Sequence, residues 1–97
     1  MSFSINFSKQ SRFELKEIYS YLFNISENIA NHFLDDLNIF INDNLSFMPS
    51  MFRIYKDNIR FFPYNNFLIF YEIDEVKNIV KILHIVHWAR DLSNLDF

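Results

Sequence analysis

Ile79-Val80-Lys81-Ile82-Leu83-His84-Ile85-Val86-His87-Trp88-Ala89-Arg90-Asp91 decides the fold. Its first half is β-branched and aliphatic with almost no polar interruption, which reads as a strand. Simple alternation sends Ile79, Lys81, Leu83, Ile85 and His87 to one face and Val80, Ile82, His84, Val86 and Trp88 to the other. Both faces are mostly apolar, so the strand is expected to be central and covered on both sides. At its end the apolar run yields to His87, Trp88, Arg90 and Asp91. A buried strand that surfaces in polar side chains is a natural place for a site, because rigid backbone aims them outward.

Just upstream, Phe67 to Asp74 reads as a strand, joined to the last by a turn over Glu75 to Asn78. Ile59 to Phe62 reads as another, ended by Pro63 and a Tyr64-Asn65-Asn66 turn. The chain has no Gly, so Asn is the residue best able to take positive φ there. Connections this short make the three strands an antiparallel meander. Ser46 to Asp57 is a loop or short strand leading into the sheet, and Asp91 to Phe97 is a short tail.

The N-terminal half changes period. Ser26 caps a helix whose buried face carries Ile29, Ala30, Phe33, Leu37, Phe40, Ile41 and Leu45, and which stops before Pro49. Before it, Leu15, Ile18, Tyr19 and Leu22 form the stripe of an amphipathic helix that ends near Asn24. Ser8 and Ser11 are both candidate N-caps, and Ser11-Arg12-Phe13-Glu14 fits a capping box. Two helices so briefly connected must fold back as a hairpin. Phe3, Ile5 and Phe7 alternate with Ser4 and Asn6, a half-buried opening strand. The order is βααβββ: an α+β fold, one domain over residues 1–97, with a small, mainly antiparallel sheet and a two-helix hairpin packed on it.

Composition narrows the function. Thirteen Phe and five Tyr supply a markedly aromatic core. There is no Cys, hence no disulfide framework or thiolate metal site, and no apolar run of membrane-spanning length, so a cytoplasmic protein is expected. A net charge of −3 argues against a general nucleic-acid binder, although Arg53, Lys56 and Arg60 allow a local basic surface.

Among single residues, His84 lies mid-strand and reads first as a packed, hydrogen-bonded histidine. His87 reads as a surface or capping residue or as a proton carrier. Arg90 and Asp91 read as an exposed ion pair or as functional groups, and Trp88 as core closure or as a recognition anchor. Arg60, a charge inside a small sheet, calls for a partner or a purpose. A zinc site from His32, His84 and His87 is set aside, since His84 and His87 point to opposite faces. A chain without Gly offers no phosphate-cradling loop.

Several pieces in order carry a resemblance: the opening strand, Leu15-Lys16-Glu17-Ile18-Tyr19-Ser20-Tyr21, Ala30 to Leu37, Pro49, Arg60, Phe67 to Asp74, and the closing Ile85-Val86-His87-Trp88-Ala89-Arg90-Asp91. Together they resemble the RelE/ParE superfamily of toxins from bacterial type II toxin–antitoxin systems, and the ending resembles the ParE-like branch. The resemblance implies a toxin held inactive by a cognate antitoxin. A ParE-like member inhibits DNA gyrase by binding; a RelE-like member cuts mRNA on the ribosome; a degenerate member keeps only antitoxin binding.

Cutting RNA requires a proton acceptor, a proton donor and a cation beside the phosphorane. Arg60, His87 and Arg90 are the candidates, but the tail lacks the late Tyr or His of RelE-like members. The reading is therefore ParE-like: no catalytic residues, no cofactor, no metal, and target contacts through Arg60, His87, Trp88 and Arg90. Since the hairpin covers only one sheet face, the antitoxin is expected on the other, at Leu68, Phe70 and Val80.

Overall fold

The computed structural model describes residues 2–90 and 92–97. The first strand, β1 (Ser4–Phe7), ends at Ser8, whose extended backbone turns the chain into helix α1 (Lys9–Ile25). Ser8 Oγ accepts from the Ser11 N–H at 3.0 Å and donates to the Leu83 carbonyl at 3.1 Å. Ser8 is thus the cap, and the expected capping box is corrected. Ser11 is buried inside the first turn with its Oγ donating to the Ser8 carbonyl, which leaves Glu14 free for another task.

Ser26 performs two jobs. Its N–H closes α1 on the Leu22 carbonyl, and its Oγ accepts from the Ile29 N–H to cap α2 (Glu27–Leu45). A one-residue connection makes the hairpin antiparallel, and Tyr19 OH donates to Asn31 Oδ1 across it at 2.7 Å. Ala30, Phe33, Leu37, Ile41 and Leu45 are buried, as the periodicity requires. Ile29 is the exception: it is half exposed and borders a cleft of ≈ 560 Å³ with Leu22, Phe33, Asn66 and Phe67. Among the described residues no helix is long and apolar enough to cross a membrane.

After a 3-10 turn at Pro49–Met51 come β2 (Arg53–Lys56), β3 (Ile59–Tyr64), β4 (Phe67–Asp74) and β5 (Ile79–His87). The sheet order is β1-β5-β4-β3-β2. β5 is flanked by β4, antiparallel, and by β1, the one parallel neighbour. Positive φ falls at Asp57, Asn65 and Asn78, one in each of the three meander turns, where Asx side chains replace the missing Gly.

Register corrects the alternation expected along β5. Phe70 pairs with His84 but Tyr71 pairs with Ile82, so Leu83 is an extra residue, a β-bulge. Val80 and Ile82 face the hairpin, and past the bulge Ile85 does so too, instead of His84 and Val86. The hairpin-side core joins Phe33, Leu37, Ile41 and Leu45 to Phe62, Ile69, Tyr71, Val80, Ile82 and Ile85. Aromatic rings fill its far end, with Phe52, Phe40 and Phe62 within 4.7–6.2 Å of one another.

The second sheet face is covered as well. Ile59, Phe70 and Val86 form its core, and Tyr55, Phe61, Leu68, Leu83, Leu92 and Leu95 pack against them. The C-terminal tail crosses this face, placing the Phe97 ring 5.3 Å from that of Phe70. Two expectations about Leu68, Phe70 and Val80 are therefore corrected. Val80 is opposite Ile73 and lies in the hairpin-side core, and Phe70 is fully buried beneath the tail and Tyr55. Only Leu68 keeps partial exposure.

Candidate functional site at the end of the last strand

β1 stops pairing at Phe7 opposite Ile82, so β5 runs on with one edge unaccompanied by a strand. The first turns of α1 fill that edge. Ser8 N–H donates to the Ile82 carbonyl at 2.8 Å, and Glu14, only 8% exposed, supplies an acceptor where the bulge leaves a donor: its Oε1 takes the Ile85 N–H at 2.8 Å. Its Oε2 lies 3.0 Å from His84 Nδ1, and His84 Nε2 lies 2.7 Å from the Asp96 carbonyl oxygen. Phe97 stands edge-on to the same imidazole at 5.1 Å. His84 is the packed, hydrogen-bonded residue its mid-strand position implies. Arg90 Nη1 approaches Glu14 Oε2 at 3.9 Å from the open side. Asp91, read as a possible partner of Arg90, lies outside the described residues.

The strand then ends in a tight turn. Arg90 N–H donates to the His87 carbonyl, Ala89 N–H to His87 Nδ1, and Trp88 N–H to the Asn66 carbonyl of the β3–β4 turn. These bonds hold His87 and Trp88 as an exposed stacked pair, centroids 6.0 Å apart, with Phe67 edge-on to His87. Trp88 is 62% exposed, so it does not close the core. Beside it a cleft of ≈ 430 Å³ is lined by Glu17, Ile18, Tyr21, Leu22, Asn66, Phe67 and His87. The end of β5 and α1 thus build one aromatic surface, with Arg90 reaching back to Glu14 nearby.

Arg60 is elsewhere. Its Nη1 donates to the Phe52 carbonyl at 2.7 Å and to the Ser50 carbonyl at 3.1 Å, pinning the loop before β2. It pairs with Tyr71, and through it with Ile82, whereas His87 aligns with Phe67 and Tyr64. That is four residues along and two strands across; at about 3.3 Å per residue and about 4.8 Å per strand the backbones are roughly 16 Å apart. The structure brings His87, Trp88 and Arg90 together and leaves Arg60 out. Beneath Arg60, Tyr71 OH donates to the Pro49 carbonyl. Burial pushes the Tyr71 hydroxyl up to about 12, with the Arg60 charge and a backbone hydrogen bond at Phe52 pulling the other way.

A model of the ParE toxins of type II toxin–antitoxin systems, parDE, matches residues 5–92, nearly the whole chain. The chain belongs to the ParE toxin family. Solved structures agree on the fold of this ParE-family chain. A chromosomal ParDE TA system from P. aeruginosa superposes with a TM-score of 0.72 at 15% identity, covering 88% of this chain and 95% of that one. The toxin–antitoxin complex RelBE2 from Mycobacterium tuberculosis gives 0.61 at 16% identity, covering 90% and 99%. No curated protein sequence matches it.

Two elements of this candidate site escaped sequence reasoning. Glu14 reads in the sequence as the last position of a capping box, yet Ser11, Glu14 and Ile18 fall on the side of α1 turned to the sheet. A carboxylate one position from an apolar stripe is the signal that was available. Tyr21, 67% exposed at the cleft wall, carries no such signal, because its place follows from where α1 crosses the end of β5.

Proposed function

We propose that this ParE-family toxin arrests growth by docking on DNA gyrase and that a cognate antitoxin neutralises it. The observation that carries the reading is Trp88, exposed and stacked beside His87 at the turn that ends β5. A solvent-facing Trp, stacked on a His that shares a cleft with Tyr21 and followed two residues on by an Arg, has the composition of a protein-binding hot spot. The dispersal of the nuclease candidates supports the same reading, since Arg60 is engaged with backbone carbonyls on another part of the sheet. Arg60 thereby leaves the proposed contact set, which becomes Trp88, His87, Arg90 and Tyr21.

The antitoxin is proposed to cover Phe47, Met48, Met51 and Ile54, exposed apolar residues beside β2, an open sheet edge. Edges of this kind accept an added strand, and a segment disordered by itself gains order there. This replaces Leu68, Phe70 and Val80 as the proposed contact.

The test is a supercoiling and DNA-cleavage assay with purified gyrase, run beside a translating-ribosome assay for mRNA cuts. Gyrase inhibition that Trp88→Ala abolishes, without mRNA cleavage, is the expected result. Ribosome-dependent mRNA cleavage is the competing reading, favoured by one feature: His87 is exposed with Nδ1 occupied by the Ala89 N–H, which leaves Nε2 for proton exchange. mRNA cuts lost in His87→Gln would decide for it. Absence of toxicity with antitoxin binding intact would identify a degenerate member.

A further inference from the structure

At the opposite end of β5 a cleft of ≈ 690 Å³ opens between the start of α1, β1 and the β4–β5 turn. Lys9 and Arg12 reach it from the first turn of α1, Lys77 from the β4–β5 turn and Lys81 from β5. These are four of the nine Lys and Arg in a chain of net charge −3, drawn by the fold from three separate elements onto one concavity. All four side chains are exposed, and among the described residues no ion pair engages any of them. Glu72, the cross-strand neighbour of Lys81, and Asp74 also line the cleft, and four cations against two carboxylates leave the lining net positive.

We infer that this cleft is a second binding site, which holds the phosphodiester backbone of a nucleic acid. The chemistry of the lining selects phosphate over a protein surface. Protein partners are held by aromatic and aliphatic anchors; the apolar residues that line the cleft, Ile5, Phe7 and Ile79, are half-buried in the sheet, and none of the chain's exposed large apolar residues, Trp88 and Phe13 among them, lies there. Phosphates are held by Lys and Arg together with amide donors, and here Asn6 lines the same cleft as the cross-strand neighbour of Lys81. Concave walls focus the field of the four cations, so the local attraction survives an acidic protein overall. The site is distinct from the Trp88 surface and does not depend on the gyrase reading.

The full-length protein is titrated against a fluorescent 20-base-pair DNA duplex, a single-stranded RNA of the same length, and an acidic peptide, at low and moderate salt. The expected result is binding of DNA, RNA or both, with log K falling by about 0.7–0.9 per contacted phosphate as log salt rises. Lys9→Gln/Arg12→Gln and Lys77→Gln/Lys81→Gln should each weaken binding at least tenfold and flatten the salt slope, while Arg53→Gln/Lys56→Gln, on β2, should change it little. Stronger binding of DNA or of RNA identifies the natural source of the phosphates. No nucleic-acid binding at low salt, equal loss in the β2 variant, or preference for the acidic peptide overturns the proposal. Every substituted residue is exposed, and a circular dichroism melt of each variant verifies that its fold is retained.

Discussion

Glu14 and His84, seventy residues apart in the chain, meet where α1 crosses the β5 bulge, with Oε2 3.0 Å from Nδ1. Both ring nitrogens of His84 face acceptors, the Glu14 carboxylate on one side and the Asp96 carbonyl on the other. The same carboxylate closes the ladder at Ile85 N–H, so a single side chain joins helix, bulge and tail.

Glu14→Ala should therefore cost about 3–5 kcal/mol, because it strands a buried backbone donor and a buried imidazole together. Glu14→Gln keeps an acceptor for Ile85 and should cost less. Urea unfolding of both variants is the measurement; an alanine variant as stable as the parent would refute the role of Glu14 in joining helix, bulge and tail.

Alkaline pH should weaken the fold through Tyr71. Its hydroxyl is raised from 10.0 to about 12 by burial, so the folded state holds the proton more tightly than the unfolded chain. The contribution, about 2–3 kcal/mol, is whole below pH 10 and is lost as the pH rises from 10 through 12. Stability measured across that window should fall in the parent and fall less steeply in Tyr71→Phe.

Phe33 sits between the hairpin and the sheet, edge-on to Tyr64 and Phe67 with centroids 5.8 and 5.5 Å away. Phe33→Ala should cost about 3–5 kcal/mol, the lost burial plus a cavity. A melting temperature equal to the parent's would show that the hairpin does not rest on this residue.

Arg60→Ala should act on stability. Two carbonyls lose a charged donor, for about 1.5–3 kcal/mol, and the loop before β2 loosens. Limited proteolysis between Pro49 and Arg53 should quicken. Gyrase affinity lost in a variant that is otherwise as stable and as protease-resistant as the parent would return Arg60 to the docking surface.

Trp88→Ala should weaken target binding by about 2 kcal/mol or more, roughly thirtyfold, with little change in stability, since the ring is mostly exposed. His87→Gln, whose side-chain carbonyl can take over the Ala89 N–H, should preserve toxicity. A surface-binding measurement with immobilised gyrase separates the two; equal affinity for parent and Trp88→Ala would remove the tryptophan from the interface.

Elements whose cause is local were legible in advance. The helix stripes, the Ser26 cap, the Asn65 turn and the meander all follow from spacing and from the residues on either side. The family, too, could be recognised from the order of its pieces. The extra residue at Leu83 could not, because an apolar run on both faces of β5 hides a one-residue change of parity that only pairing with Phe70 and Tyr71 reveals. With it went the placement of His84, Ile85 and Val86, and with the β4–β5 register the true face of Val80.

What the sequence by itself determined is which residues are apolar, where the period changes and where the chain can turn, since these are properties of neighbours along the backbone. Tertiary structure alone decided that β1 lies beside β5, that the tail covers Phe70, that Glu14 holds His84, and that Arg60 stands apart from His87. Each of these depends on strand order and on what competes for a buried donor or an open apolar face. That competition is between groups distant in sequence, and it is settled only when the whole chain has packed.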